Sequence, residues 1–171
     1  MRYHITVWAM LIVGLLGMAT ATAQTCRDDI KATAPDSRFT DNGNGTVSDR
    51  ATGLIWKQCA EGLSGAGCAT GRVTGFTWPQ ALQRAADADF ADSSLWRLPN
   101  KNELASLIER RCNDPAINAR FFPNTPSEGF WSSSSDADYS NHAWFVYFID
   151  GYVNDNNKVY AGYARLVRGG Q

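Results

Sequence analysis

The chain has 171 residues, 16 basic against 17 acidic side chains, a formal net charge of −1, and 12% aromatic residues. This balance excludes a general polyanion or nucleic-acid binder, because such binding runs on clustered positive charge. The length suits one domain with one core, and the aromatic load suits contact surfaces within and on it.

The first 23 residues, "MRYHITVWAMLIVGLLGMATATA", carry a basic start at Arg2, an apolar run from Ile5 to Met18, and Ala21-Thr22-Ala23. This is the three-part pattern of a secretory signal peptide with an A-x-A cleavage site. The apolar run, about 14 residues, is shorter than the roughly 20 that a bilayer-spanning helix needs. Removing 23 of 171 residues leaves 148, and losing Arg2 leaves 15 basic side chains against 17 acidic ones. The sequence thus predicts an exported protein, periplasmic, secreted or at the cell surface, with no membrane span after cleavage.

All four cysteines lie beyond the leader, and an even number in an exported chain predicts two disulfides. Cys59 and Cys68 flank the Gly-rich loop "AEGLSGAG", which closes easily, so they are expected to pair. Cys26 then ties an irregular N-terminal arm, residues 24–37, to Cys112. A zinc site would need C-x-x-C pairs or several histidines, and only His142 lies beyond the leader. No metal or other cofactor is expected.

The domain proper, residues 38–171, opens with short strands separated by turn chemistry. Asn42-Gly43 and Asn44-Gly45 supply the positive φ of tight hairpin turns, and Asp49 to Gly53 makes a second turn. Leu54, Ile55 and Trp56 then enter the core. The alternative, an EF-hand loop centred on Asn44-Gly45, puts Thr40 where a carboxylate belongs.

A helix starts at Thr77, whose capping box is completed by Gln80, with Leu82, Ala85, Ala86 and Phe90 as its buried face. A second is predicted over "NKNELASLIERRC", capped by Asn100 and Glu103. Leu104, Leu107 and Ile108 form its stripe, and Arg110 and Arg111 complement the negative end of its dipole. Between them "WRLP", Trp96 to Pro99, reads as a rigid entry with the indole inward and Arg97 in a buried ion pair or bonded to backbone. A Pro-rich connection carries Ile117, Phe121 and Phe122 into the core. Strands follow at Phe130–Ser133, Ala143–Ile149, Tyr152–Asn154 and Tyr163–Arg168, so the order of elements predicts an α+β fold.

Catalytic signatures are sparse. A Ser–His–Asp hydrolase would have to use His142, near the Ser132–Ser135 run, but no G-x-S-x-G elbow is present and a polar-loop histidine is expected to be solvated. Asp136, Asp138, Asp150 and Asp155 could supply a carboxylate pair for sugar cleavage, but loop acids of this kind usually form turns. There is no phosphate-binding or dinucleotide fingerprint. The chain is not expected to be an enzyme.

The C-terminal stretch carries the stronger signal. Trp144, Val146 and Phe148 alternate with Phe145, Tyr147 and Ile149, Asp150-Gly151 makes a hairpin turn, and Ala164 and Leu166 oppose Tyr163, Arg165 and Val167. Between them "NDNNKVYAG" is too polar for a core. Tyr, Asn and Gly are the composition of adaptable binding surfaces, in which Tyr supplies rigid area and Asn flexible hydrogen bonds.

In order, "RFTDNGNGTVSDRATGLIW", "WRLPNKNEL", "FWSSS", "AWFVYF", "DGYV" and "RLVRGG" resemble the Lcl C-terminal domain family, exported bacterial domains of formerly unknown function. The "WRLP" and "RLVRGG" segments also look like the C-type-lectin-like fold in its formylglycine-generating-enzyme variant. The resemblance implies two helices packed on a twisted antiparallel sheet with hairpins. It assigns Trp96, Arg97, Leu98, Pro99, Trp131, Trp144, Arg165 and Arg168 to the scaffold. It places Tyr147, Ile149, Tyr152, Asn154, Asp155, Asn156, Asn157, Tyr160 and Tyr163 on a ligand-binding surface. That group of enzymes uses a cysteine pair near the C-terminus, and no cysteine follows Cys112 here.

The implied role is an adhesin- or receptor-like domain, in some relatives diversified, binding an extracellular protein or glycan. The alternatives are a structural envelope or matrix protein that uses the same face to form a homo-oligomer, and a glycan-directed enzyme.

Overall fold

A computed structural model describes residues 24–169; the expected signal peptide, residues 1–23, lies outside the described residues. The N-terminal strands are β1 (Thr25–Cys26), β2 (Phe39–Asp41), β3 (Thr46–Asp49), β4 (Leu54–Lys57), β5 (Leu63–Ser64) and β6 (Thr70–Gly71). Helices α1 (Trp78–Ala86) and α2 (Lys101–Ala105) follow, then β7 (Cys112–Asn113), β8 (Gly129–Ser135), β9 (His142–Tyr147), β10 (Tyr152–Asn157) and β11 (Val167–Gly169). The fold is α+β, as predicted. Its antiparallel sheets run β11-β4-β3-β2 and β10-β9-β8, with two small ladders, β1-β7 and β5-β6.

Local chemistry explains the first sheet. Gly43 and Gly45 take φ of +75° and +79° in the β2–β3 turn, a conformation in which a side chain would be strained. At the next turn the Asp49 carboxylate accepts from Ala51 N (3.0 Å) and Thr52 Oγ1 (2.7 Å). It also forms a bidentate pair with Arg38 and is fully buried. Burial pushes the Asp49 carboxyl up, but the bonds from Arg38 and Thr52 outweigh that and leave it below its ordinary value.

Both capping boxes form. In α2, Asn100 Oδ1 accepts from Glu103 N (2.9 Å) while a Glu103 carboxylate oxygen accepts from Asn100 N (2.7 Å). The helices are otherwise shorter or rotated relative to expectation. In α1 the buried face is Ala81 and Ala85, with Leu82 partly covered; Ala86 is exposed, and Phe90 lies beyond the helix end.

The second helix stops at Ala105 instead of reaching Cys112. Ser106 Oγ donates to Glu103 O (2.7 Å), and the Arg38 guanidinium donates to Ser106 O (2.7 Å), so tertiary donors satisfy the terminal carbonyls. The chain then turns, and Glu109 accepts from the backbone N–H of Thr33 and Ala34. Arg110 and Arg111 therefore do not sit at a helix C-terminus. Leu104, Leu107 and Ile108 are buried all the same.

The core divides in two across the β8–β9 ladder. Phe130, Val146, Phe148 and Val167 join Phe39, Val47, Trp56, Leu104 and Phe122 on one side. Trp131, Ala143, Phe145, Ala164 and Leu166 join Ala81, Ala85, Trp96 and Leu98 on the other. The alternation read from the C-terminal strands thus serves two cores, one on each face. Gly162 and Gly129 let the chain pass the Phe145 ring: a Cβ on Gly162 would lie 2.3 Å from Phe145 Cε2.

Disulfides Cys26–Cys112 and Cys59–Cys68 both form as predicted, the first between directly opposed residues of β1 and β7. "WRLP" packs Trp96 and Leu98 inward, and Trp96 Nε1 donates to Phe90 O (2.9 Å). Arg97 does form an ion pair, at 2.7 and 2.8 Å to both oxygens of Glu103, but the pair is half exposed, not buried. Arg165 is the buried guanidinium instead. It donates to Lys57 O, Gln58 O and Thr125 Oγ1 and lies 4.9 Å from the centre of the Phe122 ring. Burial pulls its pKa down to about 9, partly offset by the Glu61 charge, which leaves it cationic at neutral pH.

Candidate functional site

The β9–β10 hairpin carries most of the residues expected to bind a ligand, and its register decides which of them act together. Its turn spans four residues, Phe148 to Gly151, with Gly151 at φ +79°, so Tyr152 pairs with Tyr147. A two-residue Asp150-Gly151 turn would have paired Tyr152 with Ile149. Ile149 instead leaves the ladder and is exposed at the tip, while Asp150 Oδ1 accepts from Tyr152 N (3.0 Å).

Successive side chains of a strand point to opposite faces. The polar run therefore does not form one surface. Tyr152, Asn154 and Asn156 lie opposite Tyr147, Phe145 and Ala143 on one face. Val153, Asp155 and Asn157 lie opposite Val146, Trp144 and His142 on the other. The strand expected over Tyr152–Asn154 runs on to Asn157, so Asp155 to Asn157, expected beyond it, are ladder residues of β10, whose outer edge is the end of its sheet.

On the first face, the Tyr147 and Tyr152 rings lie 6.4 Å apart and Tyr147 leans on Phe145 at 5.1 Å. Burial, with the charges of Glu128 and Asp155 and with Tyr152 behind it, pushes the Tyr147 phenol up, so it stays a hydrogen-bond donor. On the second face, His142 Nδ1 and Asp155 Oδ2 share a hydrogen bond that holds the Asp155 carboxyl below its ordinary range. His142, expected to be a solvated loop residue, is thus the first residue of β9 and is paired. Trp144 is half-buried beneath the Lys101 ammonium, 3.7 Å from the ring centre.

The remaining expected site residues divide between display and support. Tyr160 is well exposed. Tyr163 is only partly exposed, 5.7 Å from the Phe130 ring, and its backbone bonds β8, so it belongs to the frame. Asn157 Oδ1 accepts from Val159 N (3.2 Å) and shapes the turn leaving β10.

Sequence reasoning missed Tyr139, Val159 and Lys158. Lys158 Nζ donates to Ser135 Oγ (2.6 Å) and Ser140 O (2.7 Å) and lies 4.4 Å from the Trp78 ring centre. The placement of His142 diagonal to Asp155 follows once the four-residue turn is known. Of the six exposed large apolar side chains among the described residues, Tyr139, Ile149, Tyr152, Val159 and Tyr160 lie on or beside this hairpin, and only Leu95 lies elsewhere.

Asp136 Oδ1 accepts from Asp138 N and Tyr139 N and forms a turn. Among the described residues no three His, Cys, Asp or Glu side chains converge as a metal site requires. No helix there is long and apolar enough to cross a membrane.

The profile of the Lcl C-terminal domain matches residues 45–168, from the β2–β3 turn through β11. The chain belongs to the Lcl C-terminal domain family. No curated protein matches it. Within this Lcl C-terminal domain, the matched span contains "WRLP", most of the two cores and the whole β9–β10 hairpin. Family membership and two disulfides suit an exported or extracellular domain.

Proposed function

We propose that this Lcl C-terminal domain is a non-enzymatic ligand-binding module of the adhesin or receptor kind, exposed to the extracellular medium, with the β9–β10 hairpin as its contact surface. The observation that carries this reading is that five of the six exposed large apolar side chains among the described residues lie on or beside that hairpin, Ile149 and Tyr152 at its tip and Tyr139, Val159 and Tyr160 at its open end. Isolated exposed apolar residues are ordinary, whereas their concentration on one element of the fold supports a contact site there. All six residues of β10 pair with β9 beneath it, and Tyr152 and Asn154 offer the pairing of aromatic area and adaptable hydrogen bonding that suits a protein or glycan partner. A C-type-lectin-like arrangement of the helices and sheets fits this role and is part of the proposal.

The test replaces Tyr152, Asn154 and Tyr160 together with Ala and screens wild type and variant against extracellular proteins and glycans. Binding is expected to vanish while the thermal midpoint is kept. A variant that unfolds, or one that binds as before, would sink the reading.

The exposed apolar side chains beside β10 support a second reading, self-association of this face into a homo-oligomer through side chains. Sedimentation of the wild type and the triple variant separates the two: an oligomer lost in the variant supports self-association.

A further inference from the structure

A second candidate site lies away from the hairpin, between β4, the loop after it and α1. There a cavity of about 320 Å³ is walled by Lys57, Arg84, Leu63, Phe90 and Cys59, one half of the Cys59–Cys68 bridge. Glu61, fully buried, joins the two cations: Lys57 Nζ donates to one carboxylate oxygen and Arg84 Nε to the other, each at 2.6 Å. Lys57 is itself more than nine-tenths buried, and its ammonium lies 4.9 Å from the centre of the Phe90 ring.

Two cations on one carboxylate leave one positive charge in excess on the wall. Arg165, buried behind the strand and bonded to Lys57 O, adds another nearby. An ammonium has three donors and a guanidinium five. Among the described residues, Glu61 occupies one donor of each side chain. The unused donors therefore belong to groups on the cavity wall, one of them almost wholly withdrawn from water. A buried ion pair alone rarely offsets the cost of desolvating its charges, and a second anion would improve the balance here. The rest of the wall combines the apolar side chains of Phe90, Leu63 and Cys59 with Ser64 and three glycines.

We propose that this cavity binds a small organic monocarboxylate with a flat apolar body. The carboxylate sits between Lys57 Nζ and the free end of the Arg84 guanidinium, and the body lies along Phe90 and the disulfide. The site is independent of the hairpin surface and does not rest on the adhesin-like reading.

Benzoate is the probe, with benzamide as its neutral counterpart of the same shape. Titration into isotopically labelled secreted protein is expected to give saturable amide shifts centred on Gly45, Gly62, Leu63 and Gly65. Benzamide is expected to bind at least about tenfold more weakly, the effect of losing a charge-assisted contact. Arg84→Gln removes a half-exposed guanidinium and leaves the Lys57–Glu61 pair, so it should weaken benzoate by a similar factor. Because the buried Glu61 carboxylate loses one of its two partners the thermal midpoint falls, and binding is read at a temperature where the variant is folded. Replacing Tyr152 with Ala should leave benzoate binding as it was. Equal binding of benzamide, unchanged benzoate affinity in Arg84→Gln, shifts centred elsewhere, or no saturable shifts would each overturn the assignment.

Discussion

Replacing Cys26 with Ser and Cys112 with Ala opens a bridge between residues 86 apart in sequence, whereas Cys59 and Cys68 are only 9 apart. Cross-linking limits the unfolded chain more as the closed loop lengthens, so the first bridge contributes about 4.6 kcal/mol and the second about 2.6 kcal/mol in the chain-entropy account. The N-terminal arm has other attachments. Gln24 Nε2 donates to Ile117 O (2.7 Å), Thr33 Oγ1 donates to Ile108 O (2.7 Å), and Glu109 accepts from Thr33 N and Ala34 N. The arm should therefore stay docked in the variant, and the loss should come from the freed unfolded chain.

Urea unfolding measures both quantities. The free energy in water is expected to fall by about 4 kcal/mol, with a steeper urea dependence because the freed unfolded chain exposes more surface. A loss under about 2 kcal/mol, below the typical range for disulfides, would refute the entropic argument. Resistance of the arm to limited proteolysis in the variant checks that it remains docked.

Asp49 has a lowered pKa in the fold, so its stabilisation is complete above the unfolded value of roughly 3.9 and is lost as pH falls through the lower folded value. Asp49→Asn should be less stable at neutral pH and show a flatter decline below about pH 4 in acid unfolding followed by tryptophan fluorescence. Gly162→Ala drives a methyl group into Phe145 and should cost about 1–3 kcal/mol or more in thermal unfolding. Gly169→Ala meets nothing within 4 Å and should be silent. Arg165→Met leaves the carbonyls of Lys57 and Gln58 and the Thr125 hydroxyl without their donor, and a loss of about 3 kcal/mol is expected by chemical denaturation.

Local signals in the sequence proved sufficient where the physics is local. Thr77 with Gln80 and Asn100 with Glu103 announced both helix starts, because a capping box is made by residues three apart. The Gly-rich loop between Cys59 and Cys68 announced the short bridge for the same reason. Alternation in 143–149 and 163–167 gave the correct facing of Val146 against Phe145 and of Leu166 against Val167.

What escaped was set by contacts distant in sequence. Arg38 reaches Ser106 and helps end α2, and Glu109 serves an arm some 75 residues earlier. Within the candidate site, the exposure of Tyr152, Asn154 and Tyr160 was legible from composition. Their separation from Asp155 and Asn157 depended on the length of the Phe148–Gly151 turn, which "DG" alone does not specify. Lys57 and Glu61 stand four apart, but the cavity they border needs Arg84 from α1 and Phe90 beyond it.

Strand β10 ends its sheet with one side of its backbone unpaired, and such an edge is a template on which stray strands can add. Four of its six residues are Asn or Asp, types that pack poorly in a growing sheet. One of them, Asp155, carries a charge that a second strand laid alongside would have to desolvate. The poor strand propensity of this segment therefore protects the protein from fibril-like growth. Replacing Asn154, whose side chain is exposed, with Val or Ile would alter shelf life and colloidal behaviour before it altered the folded structure.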